Sequence, residues 1–439
     1  MNRFGASIDA SLLTFCLYAP VAQAANGSVI NGWGTSARGY AGAGVALAED
    51  AMTIANNPAG LVGLKGRGIQ LGATLIKTKQ TFEAGEFPPP AGPLPPGAMP
   101  LTPGTRYSDP DVPAEIGGVF PVPFAAANWR LSPRHAVGLA VYGNGGTNIN
   151  YKDFDNPNCP PGSTGRGILC SGETGSDIAQ AFIAPAYAYQ PNRWLRLGIT
   201  PLLVIQSFEI RGLGAFAPLS SDSDKLTNNG HDIALGYGVK AGLQAQLLDS
   251  LALGITLQSR IDIEEHDKYA GLIAEQGDLD GAPYFQIGLA WDATQRLTLL
   301  ADVQRHYFSK VRGYANEGVS TGRYGDDDGP GFGWRDVPVY KIGLRYRASD
   351  RWVFRAGYAD NEYPVTPDNA LANFLSNAVF EEHYALGLTW SPGPRNSFDV
   401  TVNYNPPQRN FGPNPFYPQQ TIQQTNRIYT LDLAWTRHF

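Results

Sequence analysis

The sequence predicts an all-β fold: a 14-stranded antiparallel transmembrane β-barrel behind an N-terminal, partly helical plug. Three observations predict it. Apolar and polar residues alternate with period two in one segment after another. Short turns alternate with long polar loops. The stretch ahead of the first alternating segment is rich in Gly and Ala and lacks that alternation.

Composition sets the frame. Only 16% of the residues are Asp, Glu, Lys or Arg, 11% are aromatic, and there are 51 Gly and 34 Pro. That profile suits many strands joined by Gly- and Pro-rich loops rather than a soluble α/β enzyme. The net charge of −6 comes with no basic block, so nucleic acid is not expected as a partner. Residues 1–24 read as an export signal. Arg3 supplies the positive end, Ala10 to Ala22 the apolar run, and Ala22-Gln23-Ala24 the small-x-small cleavage site. Asp9 is an imperfection in this pattern. The run is too short to span a bilayer, and no later segment approaches about 20 unbroken apolar residues. A barrel is then the remaining way across.

Of the three cysteines, Cys16 leaves with the signal. Cys159 and Cys170 remain, and export favours a disulfide between them. A loop this short would gain roughly 3 kcal/mol from closure in the chain-entropy model. Two free thiols are the alternative. No His lies near the pair, and the six His are scattered, so neither a metal nor a cofactor is expected.

The strands follow in order. Tyr340, Ile342, Leu344 and Tyr346 alternate with Lys341, Gly343, Arg345 and Arg347; Phe398, Val400, Val402 and Tyr404 alternate with Asp399, Thr401, Asn403 and Asn405. Tyr384 to Trp390, Ile233 to Leu243 and Tyr429 to Phe439 repeat the scheme. Apolar faces that begin and end in Tyr or Trp match the aromatic girdles of a membrane barrel. Lys, Arg and Asp on the other face would be costly in a dry core, and at mid-membrane in lipid would cost about 2–4 kcal/mol, so they should face the lumen. Long loops are expected near 84–113, 150–175, 212–230, 264–281, 313–336, 361–382 and 405–426, which makes seven hairpins. The strands are expected at 68–83, 114–130, 135–149, 176–190, 195–211, 231–247, 251–264, 282–292, 297–311, 337–347, 352–360, 382–391, 396–405 and 426–439.

Residues 25–66 form the plug, or hatch, and 67–439 the barrel. Within the hatch, small residues dominate from Ser36 to Gly44, Glu49-Asp50 is placed to cap a short helix, and Pro58 helps to stop it. The stretch Ser36-Ala37-Arg38-Gly39-Tyr40-Ala41-Gly42-Ala43-Gly44-Val45-Ala46, with Glu49-Asp50-Ala51 and Asn57-Pro58-Ala59-Gly60, resembles the outer-membrane family of the long-chain fatty acid transporter FadL and the toluene-uptake proteins. Trp352 to Gly357 is similar to that family's eleventh strand, and the terminal Phe439 to the mark read by the barrel-insertion machinery. The resemblance implies a 14-stranded barrel with a hatch, in the bacterial outer membrane, working as a monomer among lipid and lipopolysaccharide. It implies passive uptake of a hydrophobic small molecule, a fatty acid or a hydrocarbon, and an apolar pocket beside the hatch. It also implies lateral exit at a kink in the third strand. Gly143-Asn144-Gly145-Gly146 would supply that kink, since glycine weakens strand packing; a strand ending in a turn is the alternative.

Three groups of residues carry the functional expectation. Asn57, Pro58 and Ala59 would anchor the hatch to the wall near the exit, or simply end a helix. Arg211, Lys310 and Arg312 stand loosely where the family meets a ligand head group; ordinary rim charges are the plainer account. Asp326, Asp327 and Asp328 read as a solvated loop. Gly318-Val319-Ser320-Thr321-Gly322 matches a nucleophile elbow but lacks the strand–turn–helix it needs, so no enzyme is expected. A general diffusion porin is the first alternative and an outer-membrane lipid hydrolase the second.

Overall fold

A computed structural model describes residues 30–87, 98–109, 118–160, 162–376 and 380–439. The export signal, Cys16 included, lies outside the described residues. The wall consists of β1 Arg67–Ala84, β2 Phe120–Arg130, β3 His135–Tyr151, β4 Thr174–Tyr189, β5 Leu195–Arg211, β6 Asp232–Leu248 and β7 Leu251–Gln258. It continues with β8 Tyr284–Asp292, β9 Leu297–His306, β10 Val337–Arg347, β11 Trp352–Asn361, β12 Glu382–Gly393, β13 Asn396–Asn414 and β14 Tyr417–His438. Each strand pairs antiparallel with the next, and β14 returns to β1 from Gly68↔His438 to Ala84↔Ile422. The sheet is closed, so its edges are paired away. Two short segments, Gly104–Tyr107 and Asp262–Ile263, add to β1 and β6. The strand order and the number of hairpins are those expected.

The side chains alternate across this wall with the polar set inside. Gln70, Thr74, Lys240, Gln244, Asp302, Lys341, Arg355, Asp399 and Asp432 are buried, whereas Leu71, Leu235, Ile342, Leu386, Val402 and Leu433 are exposed. That inversion suits lipid outside and a polar interior. Two rows of rings mark the interfaces. Trp352, Trp390, Phe398 and Trp435 stand opposite one another across β11 to β14, and so do Tyr358, Tyr384, Tyr404 and Tyr429. Six residues separate the rows on each strand, about 20 Å of strand.

Three expectations need correction, the first being the ninth strand, expected over 297–311, which ends at His306 ahead of a 3-10 turn Phe308–Lys310. Residues 405–426 are not a long loop: β13 runs to Asn414 and β14 starts at Tyr417, leaving only Pro415-Phe416 between them. The hydrophobic alternation fades there because neither face meets lipid, yet the ladder continues. Its register shifts between Asn405 and Gln408, where Pro406 and Pro407 have no N–H to donate. The seventh strand, expected over 251–264, is interrupted rather than continuous: β7 ends at Gln258, and after a bulge at residues 259–261 the chain pairs with β6 again at Asp262–Ile263, while Ile261 bridges Gly281 ahead of β8. Above the barrel the loops build an apolar cap from Phe208, Tyr269, Phe308, Tyr314, Trp334 and Phe374.

Candidate functional site

The hatch, described from residue 30, threads the lumen as short pieces: α1 Thr35–Arg38, α2 Thr53–Asn56 and a 3-10 turn Pro58–Gly63. Asp50 accepts the Met52 N–H in the turn ahead of α2, but Met52 is the N-cap and no side chain caps the helix, so the cap expected from Glu49-Asp50 does not form. Glu49 does something else, described below.

Asn57 is fully buried. Its Nδ2 donates to the carbonyls of Val45 (2.8 Å), Leu243 (3.0 Å) and Ile255 (3.3 Å), and its Oδ1 accepts the Ala59 N–H (3.1 Å). One amide thus caps the 3-10 turn, ties it to the rest of the hatch and joins both to β6 and β7, so the Asn57 amide holds the wall at β6 and β7 and not at the third-strand glycines where the exit was expected. Pro58 occupies the first helical position, where a missing N–H costs nothing. This is possible only because the wall yields. A Cβ at Gly242 would collide with Asn57 Oδ1, one at Gly198 with the Pro58 and Ala59 backbone, and one at Gly254 with Val45. On the far side, a Cβ at Gly357 would collide with Tyr40. The belt could have been read from sequence: glycines between apolar neighbours, as in Leu197-Gly198-Ile199 and Leu253-Gly254-Ile255, mark lumen positions without side chains.

Charges fix the same segment. Arg38 pairs with Asp432 at 2.7 Å and donates to Thr430. Glu49 pairs with Arg355 at 2.9 Å and with Arg345, and it accepts the Tyr40 hydroxyl. Burial pushes the Glu49 carboxyl up, but Arg355 and Arg345 outweigh that and hold it at about 2. Asp302 accepts the backbone N–H groups of Gly44 and Val45, both at 2.9 Å. Alternation marks these wall residues only as lumen-facing; nothing in it says that they grip a hatch.

Gly143 to Gly146 lie inside β3, not at its end. The β3–β4 register jumps between Gly143 and Gly145, so Asn144 is an extra residue, a β-bulge. At the same height the β2–β3 ladder stops: its last pair is Phe124↔Tyr142. Below that pair the two strands are bonded; above it, Phe120 to Pro123 pair with β1 alone. Pro121 and Pro123 have no N–H to offer. The hatch meets this break, with the Ile30 N–H donating to the Asn144 carbonyl at 3.3 Å. A crevice of about 10 Å³ lies there between Ile30 and Trp33 of the hatch and Val122, Phe124, Tyr142 and Gly143 of the wall.

The apolar pocket expected beside the hatch stands elsewhere. The hollow next to Tyr40, Glu49 and Asp50 is small and mostly polar. The apolar cavity, about 120 Å³, lies among the outer loops between Phe208, Phe216, Leu272, Phe332, Phe374 and Phe416. The hatch residues are committed to wall contacts, so the space they leave is polar, whereas the loop cap is where unpaired aromatic surface collects.

The three expected cations are not brought together. Arg211 ends β5 and lies 3.7 Å from Glu173. Arg312 pairs with Glu275 at 3.4 Å and Asp327 at 3.3 Å, and Lys310 is exposed. The neighbours Ile210 and Gly313 line the outer cavity instead. Lys240, which the sequence reading did not single out, is fully buried beside the hatch. It donates to the Ala55 carbonyl and sits 4.3 Å over the Trp33 ring. Among the described residues no carboxylate forms an ion pair with it. Cys159 and Cys170 are bonded, with Cα atoms 5.4 Å apart. The Ser320 hydroxyl donates to the Asp328 carbonyl at 2.6 Å in a loop, and among the described residues no His hydrogen-bonds to it.

These features, a closed polar-lined barrel with a hatch pinned inside it, agree with comparison to known proteins. The family model for the outer membrane protein transport protein (OMPP1/FadL/TodX) matches residues 16–410. The chain belongs to this family. It is an outer-membrane barrel of a transport family. Among solved structures the fold is similar to the Pseudomonas putida toluene transporter TodX, with a TM-score of 0.67 at 15% identity, over 93% of this chain and 99% of that one. A Pseudomonas aeruginosa FadL homologue gives 0.65 at 17%, over 94% and 100%. The Ralstonia pickettii toluene transporter TbuX gives 0.58 at 16%, over 93% and 99%. No curated protein sequence matches the chain.

Proposed function

We propose that the protein carries hydrophobic small molecules, long-chain fatty acids or hydrocarbons, passively across the outer membrane and releases them sideways between β2 and β3. The observation that carries this reading is the wall break at Asn144, placed against the first described residues of the hatch. Cargo enters the apolar cavity among the outer loops, whose 120 Å³ is close to the ~150 Å³ of an apolar cavity known to hold benzene. It then passes the hatch at Trp33 and leaves by the crevice beside Tyr142. The toluene transporters and the FadL homologue named above favour the same class of cargo. A general diffusion porin needs an open aqueous lumen, which the hatch fills here. In the same reading the protein works as a monomer among lipid and lipopolysaccharide, and exposed Phe439 serves the insertion machinery.

For an acid cargo, Lys240 is the better head-group partner than Arg211, Lys310 or Arg312, because Arg211 and Arg312 already have carboxylates and Lys310 faces solvent. Uptake of radiolabelled oleate and toluene by cells making the wild type or a variant lacking Asn144 tests the exit. Deleting the extra residue takes the bulge out of β3 and lays it back against β2, narrowing the gap even though Pro121 and Pro123 donate no bond, so uptake of both should fall toward the level of cells without the protein. Unchanged uptake would sink the lateral route. Lys240→Met should lower uptake of oleate and spare toluene.

A further inference from the structure

We propose that the outer face of β13, β14 and β1 binds one molecule of lipopolysaccharide, its phosphates held by Lys79, Arg409 and Arg427. The inference goes beyond the uptake reading and holds whatever the cargo. Tyr404 and Tyr429 belong to the row of rings nearer the long loops, and exposed Lys77 stands opposite Tyr429. Two residues farther out, Arg427 of β14 lies directly opposite Lys79 of β1. On the next outward rung, Arg409 of β13 lies opposite Thr425 of β14. Arg427 is thus about 7 Å of strand above its tyrosine, where the head groups begin, and one strand spacing, about 4.8 Å, from β13 and β1 alike.

With nothing bound, these cations work against the sheet. Like charges directly opposite each other destabilise an antiparallel pair, yet Lys79 faces Arg427, and Arg409 is one rung away. Among the described residues no carboxylate forms an ion pair with Lys79, Arg409 or Arg427. Exposed cations elsewhere do have such partners: Arg305 lies 3.7 Å from Asp336 and Arg166 2.6 Å from Asp153. A phosphate between the three side chains supplies the missing charge and accepts charge-assisted hydrogen bonds. Elsewhere on the same rim the tyrosines carry acids. The hydroxyls of Tyr358 and Tyr384 donate to Glu382 at 3.2 and 2.9 Å, and that of Tyr237 to Asp262 at 2.8 Å. An anionic head group is repelled there and drawn to the arc of β13, β14 and β1.

What lies below and above the cations selects the kind of anion. Below, Val400, Val402, Leu431 and Leu433 present an exposed apolar face to acyl chains. Above, Tyr107, in the short segment added to β1, pairs with Thr81 on the rung of Arg409, and Phe411 stands opposite Gln423 one rung farther out. These two rings are 74% and 62% exposed, although both stand beyond the tyrosine row that marks the interface. They offer flat apolar surface to the faces of sugar rings. Glu83 shares the rung of Phe411, past the phosphate level, where sugar hydroxyls can donate to it. Acyl chains, phosphates and sugars, in that order outward, describe a phosphorylated glycolipid of the outer leaflet rather than a phospholipid.

The test titrates full-length protein in detergent with lipopolysaccharide and counts the retained glycolipid by native mass spectrometry. The wild type should keep one molecule, and stripping the phosphates from the glycolipid should weaken binding by about tenfold or more. Phosphatidylglycerol at the same concentration should not displace it. The triple variant Lys79→Gln, Arg409→Gln, Arg427→Gln should lose binding to a similar extent, while its melting temperature without lipid is unchanged or raised, because the opposed like charges are gone. Tyr107→Ala with Phe411→Ala should weaken binding of lipopolysaccharide and spare that of its lipid anchor without the outer sugars. If the triple variant does not fold, Arg409→Gln alone decides, and it should weaken binding severalfold. Binding that ignores the phosphates or these substitutions would overturn the site, and so would displacement by phosphatidylglycerol, which would make the face a general seat for anionic lipid.

Discussion

Asn57 joins the hatch to itself and to two wall strands at once. Its amide reaches three carbonyls in three segments and caps its own turn. Asn57→Ala leaves buried groups unpaired, each worth about 1–3 kcal/mol. The hatch should then become open to protease while the barrel stays folded, which limited digestion followed by gel mobility in detergent will report. Glu49 is the acid-sensitive point. Its carboxyl is held at about 2 against an ordinary 4.5, so its contribution is present above 4.5 and is lost as the pH falls through about 2. Protease access to the hatch should rise over that interval in the wild type. In Glu49→Gln it should be raised already at neutral pH and change little on acidification. The motif around Asn57 was legible because its residue types are unusual together. Lys240, Glu49 and Arg355 were not, because a period-two pattern tells which side a residue faces and not what it meets there.

At the scale of elements, the bulge at Asn144 was legible as three glycines in four positions, although whether they ended the strand or bent it was left open. The ladder decides for a bend, since β3 continues to Tyr151 with β4 as its partner throughout. The β13–β14 hairpin was misread for a physical reason: beyond the membrane a strand keeps its hydrogen bonds and loses its need for apolar residues. The loop between β3 and β4 depends on a different constraint. Breaking the Cys159–Cys170 bond by changing both residues to Ala removes roughly 3 kcal/mol of closure entropy from a segment of this length. Cleavage within residues 152–173 should speed up, with no change in the protease resistance of the hatch. Equal loosening of both would show that this loop and the hatch are coupled.

For the whole molecule, the inversion of polarity is the property that composition and alternation predicted best, and it sets the energetics of insertion. Leu386 is 62% exposed between the two rows of rings, two residues from Tyr384 and four from Trp390. Leu386→Arg should destabilise the inserted barrel by about 2–4 kcal/mol, read as a shift in the urea midpoint for folding into vesicles. His383, also on β12, faces inward, so a polar exchange there should move the midpoint far less. The glycines facing the hatch carry a different implication. They are a negative cast of the residues that lie against them, spread over β5, β6, β7 and β11, so plug and wall can be inherited only as a matched pair. A hatch transplanted into another barrel of the same strand number will not seat unless these vacancies travel with it, and a one-residue slip in any of those strands will close the socket as surely as a large side chain would.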